Sequence, residues 1–234
     1  MFNSHIQIMQ KKQFILIIVF CLSFVTISLA QHRRYTIKNG ISLIGGFTQF
    51  DIVTDNFRTK SGTGFIGGLV ATVDIPHKWY TVSYGFQFSQ NSLEIMGRPS
   101  LATITQASIE YDIQMAQVAF LLHVKLISDY VTLDLGPQLQ YNSGLELKSD
   151  NQSDFVIEGY ENLFAEDLSN ISNFNANGVI GASAGIGSFK LRAAYSYGFS
   201  NILGKLNDQD FNLSNADRFE GNQTMLSFAL MITF

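Results

Sequence analysis

The sequence predicts an all-β fold, an eight-stranded antiparallel up-and-down transmembrane β-barrel with short periplasmic turns and long extracellular loops. Three observations carry this. Segments of barrel-strand length alternate apolar and polar side chains with period two. The gaps between them are alternately long and short. Beyond the N-terminus no apolar run reaches the roughly 20 residues of a membrane helix, so a membrane passage has to be a closed barrel.

The N-terminus comes first. Lys11 and Lys12 precede an apolar stretch from Phe14 to Leu29, and Ser28-Leu29-Ala30 offers small residues at a cleavage site. This is the layout of a secretory signal peptide, with cleavage expected after Ala30. An uncleaved anchoring helix would need a longer run, and a lipoprotein signal at Cys21 is spoiled by Phe20. Residues 1–30 are therefore read as leader, 31–38 as a short periplasmic segment and 39–234 as the barrel domain. Cleavage removes the only cysteine and leaves 13 basic against 19 acidic residues, a net charge of −6. An acidic exported chain is a poor nucleic-acid binder.

Residues 39–52 and 63–75, the first two strands, are glycine-rich and leave their facing open, as do residues 176–187, the sixth. In the third, Tyr80, Val82, Tyr84, Phe86 and Phe88 alternate with Thr81, Ser83, Gly85, Gln87 and Ser89. The fourth, 109–126, changes apolar phase between Met115 and Val118, which predicts a bulge near Ala116-Gln117. In the fifth, Val131, Leu133, Leu135, Leu139 and Tyr141 oppose Thr132, Asp134, Gln138 and Gln140. The seventh sets Phe189, Leu191, Ala193, Tyr195 and Tyr197 against Lys190, Arg192, Ala194 and Ser196. The eighth aligns Leu226, Phe228, Leu230, Ile232 and Phe234 on one face.

Short gaps fall at Pro76-His77-Lys78, Ile127-Ser128-Asp129 and Gly187-Ser188; long ones at 53–62, 90–108, 142–175 and 201–219. Trp79, Tyr80, Tyr130, Phe189 and Phe234 would line the short-turn rim, and Phe88, Tyr111, Tyr141, Tyr197 and Phe199 the other. Two such belts suit two membrane interfaces. A soluble barrel with a greasy lumen is disfavoured, because the polar face carries charges. On the assigned phases Lys125, Lys190, Arg192, Asp134, Glu110 and Asp112 project inward. Unpaired buried charge is costly, so a plugging network is expected, with Asp134 the partner of Arg192.

Leu135-Gly136-Pro137, the run from Tyr195 through Gly198 to Asn201-Ile202, and the terminal Phe234 together resemble the PorT-like outer-membrane β-barrel family, over essentially all of residues 39–234. The resemblance implies a barrel-assembly signal at the C-terminus, on Leu230, Ile232 and Phe234. It also implies a link to protein export of the type IX kind, and no catalytic residue.

The chemistry motifs fail on context. Gly62, Gly64 and Gly67 fit a dinucleotide fingerprint but open a strand instead of a helix. Gly181, Ser183 and Gly185 fit a nucleophile elbow but have no downstream histidine. His32, His77 and His123 all fall near the short-turn side, away from an outer-leaflet active site. Asp208-Gln209-Asp210-Phe211-Asn212-Leu213-Ser214 has the oxygen spacing of a calcium loop without its glycine and glutamate. No enzyme activity and no cofactor or metal are expected.

Eight strands enclose a lumen just wide enough for side chains, which argues against a general porin. The reading is a small barrel in the cell outer membrane that displays loops for interaction. The alternatives are an accessory of an export machine, or a narrow channel or surface enzyme. Expected partners are outer-membrane lipid, the barrel-assembly machinery and an envelope or secreted protein that meets the loop at 142–175. That loop holds seven acids against Lys148 alone, interleaved with apolar residues. Its expected surface is Phe155, Tyr160, Phe164, Glu161 and Asp167, with Glu158–Leu168 suited to a short helix or a strand extension.

Overall fold

In the computed structural model the described residues are 38–74, 77–102, 105–209, 211 and 218–234. The leader and all of the N-terminal segment except Lys38 lie outside them, as does most of the candidate calcium loop.

Ten strands run in chain order: β1 (Lys38–Thr54), β2 (Thr59–Asp74), β3 (Tyr80–Arg98), β4 (Ala107–Ile127), β5 (Val131–Asn142), β6 (Glu146–Leu147), β7 (Val156–Ile157), β8 (Phe174–Ile186), β9 (Phe189–Gly198) and β10 (Gly221–Thr233). β1–β5 and β8–β10 pair antiparallel with their neighbours, and β10 pairs back onto β1, which closes an eight-stranded barrel. Closure leaves no free sheet edge among these eight strands. The two-residue β6 and β7 are additions from the long segment between β5 and β8, pairing with β4 and β3.

The strands joined by short turns meet at one end of the barrel. His77, Ser128 and Gly187 adopt positive φ there, the reversal that a tight connection demands. The other end carries the long segments. Two of the expected long gaps prove mostly strand: β1 and β2 continue to Thr54 and Thr59, and β3 and β4 to Arg98 and Ala107.

Those extensions explain the apolar phase change in β4. The β3–β4 register runs unbroken from Gly97↔Ala107 to Tyr80↔Val124, so there is no bulge at Ala116-Gln117. The irregularities lie at Ser61/Gly64 and Lys125/Ile127. Odd-numbered residues of β4 face inward along most of its length; the apolar residues change sides instead. In the lower half Val118 and Phe120 point outward and are exposed, while in the upper half Ile109, Tyr111, Ile113 and Met115 point inward and are buried. Tyr111 therefore belongs to the interior and not to the aromatic rim.

The lower outer wall is apolar and exposed: Leu43, Phe47, Phe65, Leu69, Tyr84, Phe86, Leu139, Ile180, Leu191 and Phe228 all face out. Trp79, Tyr130, Phe189 and Phe234 are exposed at the short-turn rim, and Phe88, Tyr141, Tyr197 and Phe199 toward the other. The three glycine-rich strands now have a facing. Phe47, Phe65 and Ile180 are outside, with Thr48, Ile66 and Val179 inside.

Candidate functional site

The interior is stacked in layers. Nearest the short turns is a cavity of about 460 Å³, with Thr81, His123, Thr132, Ser183 and Lys190 in its wall. Above it lies a buried ionic cluster centred on Asp134, which is 0% exposed. Asp134 Oδ1 accepts His123 Nδ1–H at 2.6 Å and Thr132 Oγ1–H at 2.8 Å. Its Oδ2 accepts the Ser183 hydroxyl and stands 3.2 Å from Arg192 Nε. Cross-strand register builds the cluster: His123 pairs with Asp134, and Ser183 with Arg192.

Asp134 holds a proton on His123 Nδ1, and Nε2 lies 2.7 Å from Ser83 Oγ, whose hydrogen it accepts when the ring is neutral. Ser83, His123 and Asp134 thus have the hydrogen-bond order of an acyl-transfer relay. The surroundings decide against that use. Ser83 is 1% exposed and lies outside the cavity wall that contains His123. Asp134 is shared among three hydrogen bonds and a guanidinium, which ties β3, β4, β5, β8 and β9 together. Ser183, the centre of the apparent nucleophile elbow, sits mid-strand as one of those ties.

A second polar layer follows, made of amides. Gln138 Nε2 donates to Gln117 Oε1 at 3.2 Å, and Gln140 Nε2 to Gln223 Oε1 at 2.7 Å. Gln223 Nε2 in turn donates to Asn177 Oδ1 at 2.7 Å. This network crosses β4, β5, β8 and β10 and leaves the lumen filled.

The expected charge network divides. Arg192 and Asp134 meet, and Lys125 Nζ reaches Asp74 at 2.7 Å and Asp129 at 2.8 Å. Lys190 projects inward without an ion-pair partner among the described residues. Glu110 and Asp112 are not lumenal, because the unbroken register of β4 puts its even positions outside. Glu110 instead holds Lys148 Nζ at 2.7 Å on the outer surface, and this bond raises the Lys148 pKa. Nearby, Ser108 and Lys60 donate to Glu94 at 2.5 and 3.0 Å and hold its carboxyl below the usual range, Ser108 first.

Above the amides the third long segment folds down as a cap. Leu145, Ile157, Leu163, Ala165, Leu168 and Ile171 join Leu93, Ile95, Ile109 and Tyr111 in one apolar core. Tyr111 Oη donates to Ala165 O at 2.8 Å, and Ala165 N to Phe155 O at 2.8 Å. The fourth segment adds Ile202, Leu203, Leu206 and Phe219, with Phe219 stacked on Tyr160 at 6.0 Å. Phe155 and Tyr160 are thus half-buried supports of the cap, and Asp167 accepts from Phe164 N at 2.8 Å in front of a short 3-10 turn, Ala165–Ser169. Phe164 and Glu161 remain exposed, with Glu146, Asp150, Asp154 and Glu166.

The terminal residues divide too. Leu230 and Phe234 face out, Ile232 is half-buried, and Phe234 N donates to Ile41 O at 2.9 Å where the barrel closes. Sequence reasoning missed the roles of Ser83, Thr132 and His123, whose partners are set by register between strands.

No family model and no curated protein matches the chain. Among solved structures it is similar to Neisserial surface protein A, with a TM-score of 0.49 and 12% identity over 83% of this chain and 97% of that one. It is also similar to Ail, the attachment invasion locus protein of Yersinia pestis, with a TM-score of 0.41 and 14% identity over 84% and 99%. A second structure of Ail, in a phospholipid bilayer nanodisc, gives 0.40 and 14% over 84% and 100%. At these values the fold class rests on the closed ring and its facing pattern.

Proposed function

We propose that this chain is an integral outer-membrane barrel whose work is to hold a folded acidic cap at the cell surface for recognition by another envelope or secreted protein. The observation that carries the reading is the reversal of polarity along the strands. The lower wall is apolar outside, as lipid contact requires, and inside it carries the polar clusters among buried apolar groups such as Ile44, Val70, Leu121 and Val179. The upper wall is polar outside and apolar inside, as a water-exposed domain requires. A cap whose apolar side packs into one core with the upper strands, and whose acids point outward, is built as a presented surface. The filled lumen supports a non-porin role. The sequence resemblance to PorT-like barrels supports a more specific version, in which the bound protein belongs to an export machine.

The test is crosslinking in intact cells with the chain lacking residues 148–170. Retained barrel insertion with loss of crosslinked partners supports the cap as the recognition surface. An unchanged crosslinking pattern sinks it and turns attention to the segment between β9 and β10.

A further inference from the structure

The cavity at the short-turn end has features that neither the wall nor the cap requires. Its volume of about 460 Å³ lies within the usual range for small-molecule sites. Its roof is closed by the Asp134 cluster, so it is a blind pocket and not one end of a pore. Thr72 brings a hydroxyl to its wall, and Thr81, Thr132 and Ser183, whose hydrogens go to Asp74 and Asp134, present oxygens that can only accept.

Charge then distinguishes one side chain. Among the described residues three cations point into the lower barrel. Arg192 is committed to Asp134, and Lys125 to Asp74 and Asp129. Lys190 alone lines the cavity, half-buried, with no ion-pair partner among the described residues. A partly desolvated ammonium gains from a counter-ion, to which the Thr72 hydroxyl can also donate. Asp74 and Asp129 share the wall, so a doubly charged phosphate meets about twice the repulsion that a single negative charge does.

We propose that this pocket binds a small monocarboxylate with several hydroxyl or amide groups, entering from the short-turn end with its carboxylate on Lys190. The hydroxyl oxygens of Thr81, Thr132 and Ser183 accept from its hydroxyl or amide groups. The cap plays no part in this site, so the proposal stands independently of the recognition role above.

The experiment is calorimetric titration of the full mature chain, refolded in lipid nanodiscs, with N-acetylmuramic acid, neutral N-acetylglucosamine and inorganic phosphate. A carboxylate–ammonium hydrogen bond predicts roughly tenfold or greater preference for the acidic sugar over the neutral one. Lys190→Met should abolish that preference and Lys190→Arg should keep it; Lys190→Gln serves as the neutral variant if the methionine form does not insert. Equal binding of the two sugars, tighter binding of phosphate, no binding of the acidic sugar, or an undiminished preference in the neutral variant would each overturn the proposal.

Discussion

Arg192 and Asp134 face each other across β8, Nε 3.2 Å from Oδ2, with side chains 4% and 0% exposed. Arg192 Nη2 has no hydrogen-bond partner among the described residues, so the guanidinium depends on this one carboxylate. Removing either partner strands a buried charge, a loss of about 3–5 kcal/mol. Arg192→Ala and Asp134→Ala should each unfold at markedly lower urea in lipid vesicles, followed by the fluorescence of Trp79, the only tryptophan. The double variant Arg192→Met/Asp134→Leu should lose less than either single one. Equal stability of all three would show that the pair carries no weight.

The cap makes a separable prediction. Leu168 is fully buried in the core that joins the cap to β3 and β4. Leu168→Ala should destabilise the cap by about 2–5 kcal/mol and expose residues 145–171 to protease. The heat-modifiable gel shift of the barrel should stay where it was. A shift that moves with the protease sensitivity would mean cap and barrel unfold as one unit.

Much of the barrel was legible in the sequence, and the misreadings share one cause. Period-two alternation shows that a strand has two faces and is silent on which faces inward. In β9 and the lower part of β3 the apolar face is the outer one, as the alternation predicts. Applied to the upper part of β4, the same assumption put Tyr111 on the rim and Glu110 and Asp112 in the lumen. The phase change at Met115 to Val118 imitates a bulge in the sequence pattern. It marks instead the level at which the outward-facing residues change from apolar to polar, while the backbone continues regularly. The Ser83–His123–Asp134 chain was invisible because it needs the registers of β3, β4 and β5 together.

A pH prediction follows from the outer face above the wall. Glu94 has its pKa lowered by Ser108 and Lys60, so its contribution is fully present above the usual carboxylate range and is lost as pH falls through the depressed value. Lys148 has its pKa raised by Glu110, so its contribution is present at neutral pH and lost as pH rises through the raised value. Both groups are solvent-accessible, so each effect is small. Amide exchange in the upper β3–β4 hairpin should quicken modestly at both extremes, and Glu94→Gln should remove the acidic arm alone. An acidic arm that persists in Glu94→Gln assigns the effect to another carboxylate.

The outer wall itself decides between a membrane barrel and a soluble one. Leu69 is 55% exposed and packed beside Leu43 and Phe86, which are 50% and 56% exposed, within the apolar band between the two aromatic rims. In water such a band is a liability, and an arginine there would improve solubility at little cost. In lipid the same arginine has to be desolvated, at about 2–4 kcal/mol near the midplane of a barrel. Leu69→Arg should therefore lower the stability of the vesicle-inserted protein by that amount. The matching substitution at Glu94, Glu94→Arg, lies on the same outer side but above the band. It should lose its exposed ion pair with Lys60 and its hydrogen bond from Ser108, a smaller effect than that of Leu69→Arg. If Leu69→Arg is tolerated as well as Glu94→Arg, the wall does not face lipid.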